Sequence, residues 1–333
     1  MIPDPAPGSA GDIRPAGVPP LITFGIPAYN RPQLLATTLA SIAAQTVDAD
    51  YEVVVCDDGG LPETAAAVAL FPADRFVYRR NPVRLGPVRN WNECLQRARG
   101  RWVMILHEDD LLYPWYLATV LPRLRDGLSA LCTQVEAGAE PKSTPNPEAG
   151  RVIPDPPGSD PNRLRDPRRV RDNAPYPSVM AYPPAYFIKG SMTPFPGVLF
   201  PRELGRRLGG FDERMGPLAD YDFWYRLACA GRIEVVRTVA AFYRITDDQW
   251  TARAWPEMLR KTHLLRLRIA REQFRSRRTG RWLARFFTYR TATAYARRFP
   301  EKPVTLARAL RFRKILFSGL PSGWVWQCLK RLA

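Results

Sequence analysis

The residues best equipped for chemistry stand together as His107, Glu108, Asp109 and Asp110. They close an apolar run, Trp102-Val103-Met104-Ile105-Leu106, bounded by Gly100 upstream and Pro114 downstream. A short apolar run between turn formers reads as a buried strand that delivers polar groups at its carboxyl end. Open α/β sheets bind ligands just outside the carboxyl ends of their strands. Hard oxygen ligands clustered there suit Mg2+ or Mn2+ holding a substrate diphosphate. The plainer reading is a solvated acidic turn that caps the next helix, and this stretch alone fits both.

The elements around it must place that strand inside a sheet. Leu21-Ile22-Thr23-Phe24-Gly25-Ile26 reads as a first buried strand, followed by Pro27-Ala28-Tyr29-Asn30-Arg31-Pro32. Asn30 can N-cap a helix, and Pro32 near the first turn costs little. Leu35, Leu39 and Ile42 then repeat at helical spacing. A second strand, Tyr51-Glu52-Val53-Val54-Val55-Cys56, ends in Asp57-Asp58-Gly59-Gly60. A helix over 63–70 and a strand over 76–78 complete a β-α-β-α-β pattern, which predicts a mostly parallel sheet with right-handed crossovers. Val88, Trp91, Leu95 and Ala98 mark a helix that Gly100 closes. Beyond the acidic cluster the pattern predicts a helix over 114–124 and strands over 130–135, 196–200, 233–236 and 240–243. It also predicts helices over 201–208 and 218–230.

A chain of 333 residues holds one large α/β domain or two ordinary ones. The five cysteines are dispersed without a CxxC pair and there are two histidines, which argues against structural zinc and for a reducing compartment. The first residues are rich in Pro, Gly and Ala, with no basic and apolar signal pattern. No apolar stretch reaches the ~18 residues of a membrane span. The net charge of +17 is unevenly placed: residues 251–333 carry 21 Lys and Arg against 3 acids, leaving the rest nearly neutral. The expected organisation is a disordered tail over 1–19, an α/β domain over 20–250, and a basic helical extension over 251–333. Within the domain, 137–184 is a proline-rich loop or insertion.

The motifs Pro27-Ala28-Tyr29-Asn30-Arg31, Gln45-Thr46, Cys56-Asp57-Asp58-Gly59, Gly86 through Asn90, His107-Glu108-Asp109-Asp110, Gly209-Gly210-Phe211-Asp212-Glu213 and Ala219-Asp220-Tyr221-Asp222-Phe223-Trp224 occur in this order. Together they resemble an inverting family 2 glycosyltransferase of the GT-A fold, over roughly 21–246. The resemblance implies a Rossmann-like, mostly parallel sheet flanked by helices. It implies that Pro27, Tyr29 and Asn30 with Asp57 or Asp58 seat the donor nucleotide, Tyr29 stacking on the base. Arg89 matches a position near the donor's base and phosphates. Asp109 matches the metal-binding carboxylate for Mn2+ or Mg2+, and His107 stands where the first acid of the Asp-X-Asp motif usually does. Glu108 and Asp110 match supporting or donor-sugar contacts. Asp220 matches the catalytic base, held ionised by the dipole of its helix, with Asp222 as runner-up. Ala219 replaces the usual acid beside it. Trp224 and Tyr225 suit either a sugar floor or the core, and Arg244 a phosphate contact.

The implied partners are a nucleotide-diphosphate sugar (UDP, dTDP or GDP) and a glycan or lipid-linked glycan acceptor, in the cytoplasm or on its membrane face. Alternatives are a polyprenyl-phosphate sugar synthase and a non-catalytic nucleotide-sugar-binding scaffold. In the extension, Trp282, Phe286, Phe287 and Tyr289 interleave with Arg281, Arg285 and Arg290, and Trp324 and Trp326 follow an apolar run. Basic amphipathic helices of this kind suit an anionic membrane surface; a soluble helical cap is the other reading. No nucleic-acid motif accompanies the charge.

Overall fold

The structure is a computed structural model that describes residues 18–141, 179–246 and 254–298. The expected tail falls almost wholly outside these residues. So do most of the proline-rich stretch, residues 247–250, and the apolar run and tryptophans beyond 298.

Nine strands among the described residues form one sheet: β1 Ile22–Ala28, β2 Tyr51–Asp57, β3 Phe76–Arg80, β4 Trp102–Ile105, β5 Leu111–Leu112, β6 Leu128–Gly138, β7 Val179–Ala181, β8 Val198–Pro201 and β9 Arg232–Arg244. Their order is β3-β2-β1-β4-β8-β6-β9-β5, with β7 also paired to β9. β3, β2, β1, β4, β6 and β9 run the same way; β8, β5 and β7 run against them. The result is a mixed α/β fold with a mostly parallel central sheet.

Period-two alternation explains how one sheet serves two cores. Val53 and Val55 of β2 and Trp102 and Met104 of β4 face helices α1 (Pro32–Ala43) and α2 (Pro62–Ala69). Val54, Cys56, Val103 and Ile105 face the other way, onto α3 (Pro87–Arg97) and α6 (Ala219–Ala230). In chain order α4 (Tyr116–Val120) and α5 (Arg202–Arg207) come between α3 and α6, α4 packing in the first core and α5 in the second. Burial on both faces is why the strands read as continuous apolar runs, each large side chain contributing about 2 kcal/mol.

Several expectations are corrected. Asn30 does not cap α1: it has left-handed backbone (φ 58), and Arg31 occupies the cap position without a side-chain cap bond. Gly100 closes no helix. Added to its backbone, a Cβ would lie 2.5 Å from the Thr23 nitrogen, so the glycine lets the chain pass β1. The helix expected over 114–124 is the shorter α4 followed by a 3-10 turn, Leu121–Arg123. The strands expected over 233–236 and 240–243 are one strand, β9, with an irregularity where Thr133 pairs Val236 and Gln134 pairs Val239.

The extension's described part forms α7 (Trp255–Gln273) and α8 (Arg277–Arg298). Leu259, Leu265, Ile269, Leu283, Phe287 and Ala292 join the α3–α6 core, and Trp282 packs there too, stacked on Phe286. Trp282, Phe286, Phe287 and Tyr289 therefore pack on the α/β domain. The exposed residues of α7, α8 and their link include Arg271, Arg275, Arg277, Arg278 and Arg281, beside Leu264, Glu272 and Ser276.

Candidate active site

The site forms where β1, β2 and β4 end side by side. Pro27 lies beyond the last β1–β4 pair, where only one neighbour remains and a missing N–H is tolerated. The next residues, 29–31, form the first loop of the site. Tyr29 is 40% exposed, with the Arg84 guanidinium 4.4 Å from its ring centroid. Asn30 packs on the turn after β2, so closely that a Cβ on Gly59 would lie 2.0 Å from its Oδ1.

That turn is built by Asp57 and Asp58. The Asp57 carboxylate, fully buried, accepts from the backbone N–H groups of Gly59 and Gly60 and from the Tyr78 hydroxyl. Asp58 Oδ1 accepts from Asn81 Nδ2 at 3.0 Å and from the Leu85 N–H at 2.6 Å, and Oδ2 from the Gly86 N–H at 2.8 Å. Asp57 is thus a loop organiser rather than an open acceptor, and Asp58 keeps spare accepting capacity only at Oδ2. Asn90 donates to the Cys56 carbonyl, and Asn92 pairs with the Phe211 backbone. Arg89 is exposed and forms an ion pair at 2.6 Å with Glu213 of the Gly209–Glu213 turn.

The loop after β4 is tied from three sides. Glu108 Oε2 accepts from the Tyr29 N–H at 2.8 Å, joining this loop to the first. Burial outweighs that bond and pushes the Glu108 pKa up to about 8. Thr38 Oγ1 lies 2.8 Å from the carbonyls of both Glu108 and Asp110. Arg244, at the end of β9, donates its N–H to Asp110 Oδ1 at 3.0 Å and its Nε to the Asp109 carbonyl at 3.0 Å. It also pairs with Glu140 and is 6% exposed, so it braces the loop from behind instead of standing in the open as a phosphate contact.

Two buried atoms in this loop have no hydrogen-bond partner: His107 Nε2 and Asp110 Oδ2. The His107 ring lies against Trp91 (5.4 Å) and Phe195 (4.4 Å), and burial lowers its pKa, leaving a neutral imidazole able to ligate. One ligand atom each from His107, Asp109 and Asp110 lies within 4.8 Å of the others. This donor set suits a divalent cation, and two of its residues carry the orphaned atoms. Asp109 Oδ2 accepts from Arg31 Nη1 at 3.0 Å, its one partner among the described residues.

Asp220 stands in the first turn of α6, after a 3-10 segment, Glu213–Leu218, in which Gly216 (φ 56) makes the bend. Burial raises its pKa to about 7 against the opposing pull of backbone N–H groups, so desolvation outweighs the helix dipole. Asp222 is spoken for: Arg226 Nε at 2.6 Å and Arg268 Nη1 at 3.0 Å hold it, which removes it as a base. Trp224 and Tyr225 are core residues, not a sugar floor. A cavity of about 630 Å3 opens on the Asp222 side, between the Gly209–Glu213 turn and Arg268 of α7; neither Asp220 nor the β4 loop lines it.

Sequence reasoning gave the metal to Asp109 and His107, with Glu108 and Asp110 as supporting contacts; the structure adds Asp110 to the metal-competent group and joins Glu108 to Tyr29. Sequence reasoning missed the roles of Arg31, Thr38, Arg84 and Arg244. Arg31 was visible in the first motif, but nothing local shows that its partner lies 78 residues away.

A sequence model of the family described as Glycosyl transferase family 2 matches residues 23–187. An uncharacterized Mycobacterium tuberculosis protein, MT1568, is 34% identical over 233 residues, 68% of this chain and 67% of that protein. The abequosyltransferase RfbV of Salmonella typhimurium is 33% identical over 38% of this chain and 40% of its own length. A Campylobacter jejuni GalNAc(5)-diNAcBac-PP-undecaprenol beta-1,3-glucosyltransferase is 32% identical over 32% and 36%. Among solved structures, Staphylococcus aureus TarS 1-349 superposes with a TM-score of 0.58 at 15% identity, covering 89% of this chain and 81% of that one. TarS is also known bound to UDP-GlcNAc. The Pyrobaculum calidifontis mannosyltransferase PcManGT, in complex with GDP-Man and Mn2+, gives 0.52 at 20% identity, covering 90% and 84%.

Proposed function

The chain belongs to glycosyl transferase family 2, and from that premise we propose that it is a metal-dependent, inverting enzyme. It would move a sugar from a nucleoside diphosphate to a hydroxyl of a glycan or lipid-linked glycan. The observation that carries this reading is the β4 loop: three metal-competent side chains within 4.8 Å, two of them holding buried atoms without partners, beside the exposed ring of Tyr29.

In this reading the base stacks on the face of Tyr29 that Arg84 does not cover, and Asp58 Oδ2 accepts from a base N–H or ribose hydroxyl. Asp109, Asp110 and His107 hold Mn2+ or Mg2+, which supplies charge neutralisation at the leaving diphosphate. Arg89 lies at the donor's phosphate side. Asp220 removes the acceptor's proton as the hydroxyl attacks the anomeric carbon in one displacement. Its pKa near 7 suits that task, since a base works best near the operating pH. The exposed arginines of α7, α8 and their link suit an anionic membrane face, placing the enzyme peripherally beside a lipid-linked acceptor. No helix among the described residues is long and apolar enough to cross a membrane.

The test is thermal stabilisation by UDP, GDP, dTDP and CDP, each with and without Mn2+, in wild type and Asp109→Ala. One nucleotide should stabilise by about 2.7 kcal/mol at a hundred times its dissociation constant, only with metal and only with Asp109. Stabilisation that ignores both metal and Asp109 would sink the metal assignment.

A further inference from the structure

Tyr29 and Arg84 meet at the mouth of the site, and one residue roots them both. The Arg84 guanidinium carbon stands over the Tyr29 ring, and the ring has no other aromatic or cationic contact among the described residues. Asp58 is the common root. Its N–H donates to the carbonyl of Ala28, the residue before Tyr29, at 2.9 Å. Its carboxylate accepts from Asn81 Nδ2 and from the N–H groups of Leu85 and Gly86, so it grips both ends of the loop that carries Arg84. The Asn81 N–H donates in turn to the Asp57 carbonyl at 2.9 Å, and Pro82 and Pro87 narrow what the loop backbone can do.

The two side chains complete each other. Arg84 is exposed, and its head makes no hydrogen bond or ion pair among the described residues, so the ring is the one partner it finds there. The bond from the Tyr29 N–H to Glu108 fixes the backbone of that residue and leaves its half-exposed ring two torsions to turn about. A ring that turns is ready for a base only part of the time, and apparent affinity falls by that fraction. A cation on one face holds the ring still and leaves the other face for a base.

We infer that Arg84 is a positioning residue for the base of the donor: it pins Tyr29 from one side so that the other side stands ready to stack. The inference rests on the reading of Tyr29 as the platform for the base. Arg84 then acts on the base through the ring, and not on the diphosphate through its charge.

The experiment is isothermal titration of the full chain in Mn2+ at about 0.15 M salt, where exposed charges are screened beyond ~8 Å. The ligands are UDP, dTDP, GDP and CDP, and inorganic pyrophosphate, which has no base. The proteins are wild type, Arg84→Ala, Arg84→Lys, Tyr29→Leu and the Arg84→Ala, Tyr29→Leu double variant. Arg84→Ala should weaken the nucleotide that wild type binds best about fourfold, the scale of one exposed cation–π contact, and leave pyrophosphate unchanged. Arg84→Lys keeps a cation over the ring and should restore most of that loss. Tyr29→Leu should weaken the same nucleotide about tenfold, and adding Arg84→Ala to it should cost nothing more. Unchanged nucleotide affinity in Arg84→Ala, an equal loss for pyrophosphate, or the same fourfold loss in the Tyr29→Leu background overturns the role of Arg84. Undiminished affinity in Tyr29→Leu, or no nucleotide bound by wild type, overturns the reading of the site itself and with it this inference.

Discussion

Two aspartate pairs end neighbouring strands on either side of β1, and they are built oppositely. After β2, Asp57 and Asp58 together accept from the backbone N–H groups of Gly59, Gly60, Leu85 and Gly86 and from Tyr78 and Asn81. After β4, Asp109 accepts from Arg31, and Asp110 accepts from Arg244 on one oxygen and from nothing on the other. The difference lies less in the aspartates than in the backbone around them. Glycines after β2 turn amide groups back toward the carboxylates, whereas the β4 loop turns its carbonyls toward Thr38 and Arg244. A carboxylate that the chain has satisfied builds a loop. One that the chain leaves short can hold a ligand.

The Asp220 carboxylate has no charged partner among the described residues, and there the largest effect is expected. Asp220→Asn should lower turnover about a thousandfold while leaving nucleotide binding in place. Because burial raises the folded pKa above the ordinary value of 3.8 to about 7, the group's stabilising contribution is complete below about pH 4 and is lost as pH rises through 7. At pH 8 the variant should therefore be more stable than wild type by at least ~1 kcal/mol, and wild-type kcat/KM should rise with pH to half its limit near 7. An active variant, or a variant less stable at pH 8, would break the grouping of Asp220 with the ligand-holding acids.

Asp57→Ala tests the other class. It strands two backbone N–H groups and a tyrosine hydroxyl in a buried turn, so urea unfolding should show a loss of about 3 kcal/mol. Asp109→Asn should do the reverse: a stability change within ~1 kcal/mol, because its one bond is a partly exposed ion pair, and a loss of Mn2+-dependent nucleotide binding. Similar stability losses in the two variants would erase the distinction drawn from their hydrogen bonds.

The difference also explains what could be read from the chain. Strands β1, β2 and β4 are uninterrupted apolar runs buried on both faces, so their carboxyl ends, and the acids placed there, were legible. The partners of those acids were not, because Arg31 lies 78 residues from Asp109 and Arg244 134 from Asp110. β9 looked like two strands because Arg237 and Thr238 break the apolar pattern; the sheet absorbs them as a register shift. β5 is two residues long, too short for any periodicity. In the extension, the aromatic pattern showed that one face of each helix is apolar but not what covers it, and the catalytic domain does.

The smallest expected effect sits inside the β4 loop and sharpens the contrast most. Glu108 belongs to the ligand-holding sequence by position but to the loop-building class by contact, since its carboxylate receives the Tyr29 N–H. With a pKa pushed up to about 8 by burial, it is protonated at pH 4 in the folded chain and mostly so in the unfolded one, and there a neutral amide is a close replacement. Glu108→Gln should then match wild type within ~0.5 kcal/mol, with the Tyr29 bond kept by the amide oxygen. Raised above the ordinary value of 4.5, the folded pKa makes wild-type stability fall as pH climbs from about 4.5 to about 8, and the variant escapes that fall. Thermal unfolding in chelator at pH 4 and pH 9 should show the two curves together at the lower pH and the variant above wild type at the higher. Curves that stay together at pH 9 would mean that Glu108 is already ionised in the folded protein, and the loop after β4 would then present an acid more available to ligand than its burial implies.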